Sequence, residues 1–184
     1  MSDDALLIDE ALAGSTEAFG QLVLKYQDRL FNSVVHWVGN AEDASDIVQE
    51  ALVQAFLKLD SFQRRSTFST WLYRIAFNSA ASSRRRRRPT ASIERVREAA
   101  DIEPVDHGDD PAKALEQKER CRQVRHAIAK LGEEQRAVVI LREIDGHDYA
   151  TIAEILNLPV GTVRSRLHRA RLELREALKE KESL

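Results

Sequence analysis

The sequence predicts an all-α fold: two small helical domains joined by a flexible acidic linker, the C-terminal one carrying a helix-turn-helix. Three observations predict it. Apolar residues recur at three- and four-residue steps through most of the chain, which is the spacing of one helix face. The periodicity lapses between Pro89 and Pro111, where Pro104 and Gly108 break any helix and seven acidic side chains from Glu94 to Asp110 leave little to bury. Asp148 to Arg171 reads as two short helices around a tight turn. The domains are therefore expected at 1–88 and 112–184, with 89–111 as the tether.

Composition narrows the classes. Charged residues make up 32%, against only 7 Gly and 4 Pro, a balance typical of helical soluble proteins. The net charge of −2 conceals segregation into an arginine run, an acidic stretch and a basic end, a pattern that points to nucleic acid. The lone Cys121 excludes an internal disulfide and is read as a buried structural thiol. Scattered histidines and one cysteine form no metal signature, and no nucleophile, base and orienting group cluster, so the expectation is no cofactor, no metal and no enzyme. No apolar run approaches membrane-spanning length, and Asp3 and Asp4 do not begin a signal peptide, so a cytoplasmic protein is expected.

The elements follow in order. Leu6, Leu7, Ile8, Ala11 and Leu12 form a short helix stopped by Gly14. Ser15 or Thr16 caps a longer one through Phe19, Leu22, Tyr26, Leu30, Val34 and Trp37, ended by Gly39-Asn40. Glu42 to Leu59 is less ordinary. Val48, Leu52, Ala55, Phe56 and Leu59 make a core stripe, while Asp46, Glu50, Val53 and Leu57 make an opposite column flanked by Asp43 and Ile47. A solvent face rarely mixes acids with Val, Ile and Leu, so a partner with a basic, apolar helical surface would explain it. Spacing alone fits a helix buried on two sides equally well.

Asp60 to Thr67 is a polar loop holding Arg64 and Arg65. Ser66 or Thr67 caps a helix with Phe68, Trp71, Leu72, Ile75 and Ala76 on its buried side and Arg74, Asn78, Ser82 and Arg85 on the other. It runs into five arginines, Arg84 to Arg88, which require solvent or a polyanion and would give salt-dependent phosphate contacts. Aromatics beside a basic helix can stack on unpaired bases, although the spacing of Phe68 and Trp71 favours core. After the tether, a solvated spacer or else an acidic mimic of nucleic acid, helices resume over Ala112–Leu131 and Glu133–Ile144, making a bundle of four with the helix-turn-helix.

In that motif, Ile152, Ile155 and Leu156 stripe the first helix, and Asn157-Leu158-Pro159 breaks it, with Pro159 opening the second. Val160, Val163, Leu167, Ala170 and Leu174 fall on one side of the second helix, and Thr162, Ser165, His168 and Arg169 on the other. Arg164, Arg171 and Arg175 line one flank and Arg166 the opposite one. A thin buried stripe with guanidiniums and hydroxyls elsewhere suits a major groove, where Arg holds phosphate or forks onto guanine. Gly161 is expected to bring the first turn close to another backbone.

Asp43 to Phe56 (DASDIVQEALVQAF), Phe68 to Asn78 (FSTWLYRIAFN) and Tyr149 to Arg171, in this order around a tether, resemble the small extracytoplasmic-function (ECF) type of bacterial RNA polymerase sigma subunit over residues 5 to 178. The resemblance implies a protein that binds core polymerase through its clamp coiled coil and flap and directs promoter-specific initiation. The first domain would melt and read the downstream (−10) element and the second would read the upstream (−35) element. Carried onto this sequence, polymerase binding falls to Asp43, Asp46, Gln49, Glu50, Val53 and Leu57. Melting and downstream DNA fall to Arg64, Arg65, Phe68, Trp71, Tyr73, Arg74, Asn78, Arg84 and Arg85, with the loop Phe62 to Thr67 capturing a flipped base. Upstream duplex falls to Gly161, Thr162, Arg164, Ser165, Arg166, His168, Arg169 and Arg171. An anti-sigma partner, often membrane-bound, is also implied, with no membrane insertion of the chain itself.

Two positions depart from the motif. It usually has a basic residue where Phe77 stands and an Asp where Ser82 stands; Phe77 removes one phosphate contact, for which the arginine run can compensate, and Ser82 leaves the downstream preference undefined. The rival from the residues themselves is a stand-alone helix-turn-helix regulator that binds duplex DNA without polymerase; such a protein has no use for the acid and apolar column on the helix from Glu42.

Overall fold

A computed structural model describes residues 3–87 and 111–182, with side chains for 3–79 and 116–179. The described residues form eight α-helices: α1 (Asp3–Leu12), α2 (Thr16–Val38), α3 (Ala41–Leu57), α4 (Phe68–Arg87), α5 (Pro111–Lys130), α6 (Glu133–Val139), α7 (Tyr149–Leu156) and α8 (Val160–Glu182). A single 3₁₀ turn, Leu59–Ser61, follows α3, and α6 widens into a π turn over Ile140–Ile144. The fold class expected from the periodicity is the one observed. The expected tether lies outside the described residues except for Pro111, which begins α5.

The helix boundaries sit where capping chemistry puts them. Ser15 accepts the amide of Ala18 at 3.2 Å to start α2. Gly39, at φ 93°, ends α2 with its N–H on Val35 O at 2.8 Å. Asn40 then starts α3 by accepting the Asp43 amide at 2.7 Å, while its own amide donates to the Asp43 carboxylate at 2.8 Å. Thr67 caps α4 through the amide of Thr70 at 3.2 Å. Asp148 caps α7 through Thr151 N–H at 2.7 Å. Asn157, left-handed at φ 52°, closes α7 with Leu158 N–H on Ala153 O at 2.9 Å and its own N–H on Glu154 O at 3.3 Å, a Schellman arrangement. Pro159 lies one residue before α8; its carbonyl accepts the amides of Thr162 and Val163 at 2.9 and 3.2 Å, so it serves as the cap where the sequence suggested the first helical residue.

In the N-terminal unit α3 packs between α2 and α4, and α1 lies along α2. Ala44, Ile47, Val48, Ala51 and Ala55 are the buried side of α3. This corrects the wheel expected for that helix in two places. Ile47 is buried, and Phe56, expected in the core, is 47% exposed with only its edge on Phe19 at 5.0 Å between centroids. Alanines are the reason: three of them let α2 and α4 approach closely, so small residues set the contact stripe, and they carry a weak apolar signal in sequence.

In the C-terminal unit α6 and α7 pack on α8 around Val138, Ile140, Leu141, Ile152, Ile155, Val163, Leu167 and Ala170. Val160, expected on that stripe, is exposed because it sits in the first turn, before α8 reaches its neighbours. Cys121 is half-exposed on α5, not the buried thiol expected. The two units do not have separate cores. One continuous buried cluster runs from Leu7 to Ala170, and α4 packs directly against α7.

Candidate nucleic-acid and polymerase interfaces

The first candidate surface is the outer side of α3. Asp46, Gln49 and Glu50 are exposed, and Val53 and Leu57 beside them are 56% and 66% exposed. Phe56 joins this face, a residue sequence reasoning assigned to the core. The alternative of a helix buried on two sides does not hold, since this side of α3 meets solvent. A contiguous apolar strip rimmed by carboxylates is costly to leave wet and complements a basic, apolar partner. Asp43 differs from its companions: half-buried and tied to Asn40, it helps start the helix.

The second surface was expected on α4 and the loop before it. Here the structure separates the residues. Phe68, Trp71 and Tyr73 are buried, at 3%, 6% and 1% exposure. Phe62, Phe68 and Trp71 form one aromatic knot, with centroids 5.0 to 6.0 Å apart, and Tyr26 of α2 lies 5.7 Å from Phe68. The spacing argument for core is therefore the one the packing bears out for Phe68 and Trp71. Arg65 and Asn78 are exposed and Arg74 half-exposed, so the polar members face outward. Arg64 adopts φ 53° and pairs with Asp9 of α1, which pins the loop to the first helix. Arg84 and Arg85 continue the backbone of α4, while their side chains, like that of Ser82, lie outside the described ones.

The third surface is on α8. Arg164, Ser165, His168, Arg169 and Arg171 are exposed along it, and Thr162 is half-exposed. Arg164 lies 6.0 Å from the Tyr149 ring, whose other neighbour is Arg142 at 5.2 Å. Arg171 forks onto Glu143, with Nη2 and Nε at 2.6 and 3.1 Å from one carboxylate oxygen. Tyr149, Arg142 and Glu143 were not singled out in sequence: they lie before α8, where Tyr149 meets Arg164, Glu143 pairs with Arg171, and Arg142 backs the Tyr149 ring. Arg166 turns inward, half-buried against Glu134 at 2.7 Å. Gly161 is exposed, and a Cβ built there meets nothing within 4 Å. Among the described residues no other backbone comes close to it, so the close approach expected there is not seen, and that turn is exposed.

Between the second and third surfaces runs a polar and aromatic seam. Trp37, Phe77, Tyr73 and His147 form a column with successive centroid spacings of 4.6, 6.2 and 5.3 Å. Ser33 donates to Asp145 Oδ1 at 2.8 Å and shares a 3.0 Å hydrogen bond with Tyr73 Oη, while Arg29 donates to Asp145 O at 2.5 Å. Burial pushes the Asp145 carboxyl above its usual range and the Tyr73 hydroxyl up to about 12. Burial also holds the His147 imidazole below its ordinary value, assisted by the Arg29 charge. Farther along, Trp37 Nε1 donates to Glu133 O at 3.3 Å, and Arg136 donates to Trp37 O at 3.0 Å as well as to Leu131 O at 2.9 Å. One guanidinium thus satisfies carbonyls at the ends of both α2 and α5.

The family model for Sigma-70 region 2 matches residues 22–90, and that for Sigma-70, region 4 matches residues 121–174. RNA polymerase sigma-H factor of Pseudomonas aeruginosa is 38% identical over 182 residues, covering 95% of this chain and 93% of that protein. ECF RNA polymerase sigma factor SigW of Bacillus subtilis is 36% identical, covering 94% and 95%. Among solved structures, CnrH in complex with the cytosolic domain of CnrY superposes with a TM-score of 0.70 at 27% identity, covering 97% and 99% of the two chains. The sigma factor RpoE in complex with the anti-sigma factor NepR from Bartonella quintana gives 0.69 at 28% identity, covering 89% and 98%.

Proposed function

The chain belongs to the ECF sigma factors of RNA polymerase, and from that premise we propose how its surfaces divide the work of promoter-specific initiation. Residues 1–88 act as the unit that grips polymerase and the −10 element, and 112–184 as the unit that reads the −35 element, with 89–111 as tether. Asp46, Gln49, Glu50, Val53 and Leu57, joined by Phe56, dock on the clamp coiled coil of core polymerase, with Asp43 fixing the start of their helix. The C-terminal unit meets the flap. Arg65, Arg74 and Asn78, followed by Arg84 and Arg85, hold the downstream DNA. Phe68, Trp71 and Tyr73 support that helix from beneath, and the loop from Phe62 through Arg64 to Thr67 takes up the displaced base.

On α8, Thr162, Arg164, Ser165, His168, Arg169 and Arg171 enter the major groove, with Gly161 giving the duplex backbone room. Arg166 buttresses α8 from inside the domain. Opening the duplex costs a few kcal/mol per unstacked step, as an order of magnitude, and captured bases with arginine-phosphate contacts offset it. The chain performs no covalent step of its own and works in the cytoplasm under an anti-sigma partner. No described helix is long and apolar enough to cross a membrane.

The observation that carries this reading is the exposed acidic and apolar face of α3, which a regulator acting alone would not need. Asp46→Arg tests it. The variant is expected to lose capture of core polymerase while its helical signal on heating stays that of wild type; capture at wild-type affinity would remove the docking assignment.

A further inference from the structure

The loop between α3 and α4 is fixed firmly at both ends and lightly in the middle. At its start Ser61 Oγ donates to Lys58 O at 2.7 Å and Phe62 N–H to Leu59 O at 3.0 Å, with the Phe62 ring buried in the aromatic knot. At its end Thr67 caps α4. Between them Gln63, Arg64 and Arg65 are exposed. Among the described residues, the polar contact that ties this middle stretch to another element is the ion pair of Arg64 with Asp9 of α1.

Arg64 is also where the backbone is strained. It sits at φ 53°, in the left-handed region that a residue with a Cβ enters at a cost. Such a conformation persists where the surroundings hold it, and the holding group here is a carboxylate on a helix that flanks the loop on neither side. That helix is anchored independently of the loop. Leu7 and Ile8 are buried in the core, and Asp4 accepts from Tyr26 Oη and from Lys25 Nζ at 2.5 Å. Tyr26 in turn lies against Phe68, the first residue of α4. One short helix is thus tied to the start of α4 at Asp4 and meets the loop at Asp9, roughly a turn and a half along. Released from Asp9, Arg64 would fall back to a φ near about −60°, a rotation that redirects Arg65 and Ser66 after it.

We propose that Asp9 is a positioning residue for reading the downstream element. Its carboxylate keeps Arg64 in the left-handed bend, and that bend gives the loop the shape that discriminates among displaced bases. The Arg64 guanidinium is occupied by Asp9, so Arg65 is the cation of the loop that turns to DNA phosphate. The inference rests on the base-capturing role proposed above for this loop.

The test uses the full chain with purified core polymerase, on templates that keep one upstream element and randomise the downstream one. A mismatched base in a specific site costs roughly 5- to 150-fold. Asp9→Ala should bring the preference at one downstream position from that range to nearly none. Its thermal midpoint should stay that of wild type, since an exposed ion pair contributes little to global stability; capture of polymerase and preference at the upstream element should stay as well. Asp9→Glu should keep most of the downstream preference. Asp9→Arg and Arg64→Asp each set like charges together and should lose it, and D9R combined with R64D should regain it. An unchanged preference in Asp9→Ala would overturn the proposal. So would a loss that the double exchange fails to regain, which would put Asp9 or Arg64 on the base itself. A chain with glycine at 63 to 66 separates the brace from the loop's own role. If that chain loses the preference while Asp9→Ala keeps it, the brace alone falls. If it keeps the preference too, the loop does not receive the base, and the proposed function is wrong at that point.

Discussion

The faces of α4 and α8 are both basic and both assigned to DNA, yet the molecule treats them oppositely. On α8 the guanidiniums of Arg164, Arg169 and Arg171 are exposed, Arg164 beside Tyr149 and Arg171 paired with Glu143. On α4 the aromatics lie inside, sealed by α2 and by the loop and helix of the other unit. The difference follows from what each must do. Reading an intact groove needs donors placed in advance on a rigid helix. Holding separated strands exposes surfaces that stack, and such surfaces left open would bury themselves against something else. Here Phe62 and Tyr26 of the same unit cover Phe68 and Trp71, while Tyr73 meets His147 of the second unit.

The comparison breaks most sharply at Trp71. Trp71→Ala removes a ring packed on both Phe62 and Phe68. It should cost about 3–5 kcal/mol of stability, seen as a lowered denaturant midpoint, before any effect on DNA is reached. If Trp71 were instead an exposed base platform, the midpoint would barely move. Arg164→Ala should do the reverse, leaving the midpoint nearly unchanged while weakening binding to the upstream duplex by roughly 1–3 kcal/mol if it forks onto guanine. An unchanged footprint would reduce it to a solvated flank.

The smallest expected effect is with pH. The His147 imidazole is held below its ordinary value of 6.5 by burial and by Arg29, with Asp148 opposing; the Tyr73 ring and the neighbouring Asp145 complete its surroundings. His36 on α2 is lowered likewise by burial and by Arg125 of α5. Because both folded values are depressed, their contribution is present above about pH 6.5 and is lost as the pH falls through the lowered values. Asp145 runs the other way: its carboxyl, raised by burial, favours the folded form when protonated, and that share is lost as the pH rises through its raised value. Thermal midpoints should therefore fall between pH 7.5 and 5.5, and replacing both histidines by Gln should flatten that slope. A slope unchanged by the double replacement would place the titration elsewhere.

The contrast also explains what was legible in the sequence. The recognition helix could be read because its pattern is local: Val163, Leu167 and Ala170 point in, their polar neighbours point out, and the break at Asn157 to Pro159 sets the frame. The outer column of α3 was legible for its acids, while Phe56 and Ile47 exchanged places because alanines define the true contact side. The seam was not legible. Trp37 bonds a backbone carbonyl nearly a hundred residues away, and Asp145 reads locally as an ordinary turn residue until α2 and α4 are brought beside it. Phe77 stood out in sequence as a missing cation; its positive role as a stacked ring appears only in three dimensions. Arg166 was misjudged for a similar reason, since its partner Glu134 belongs to another helix.

The most direct test of the division between a polymerase-gripping, strand-holding unit and a duplex-reading unit is transcription from a randomised promoter library with purified core enzyme and this chain. The account predicts RNA starts confined to templates that share two spaced sequence elements, the upstream one lost with Arg164→Ala and all starts lost with Asp46→Arg. Absence of initiation on every template, together with tight occupancy of a single duplex site by the chain alone, would contradict it.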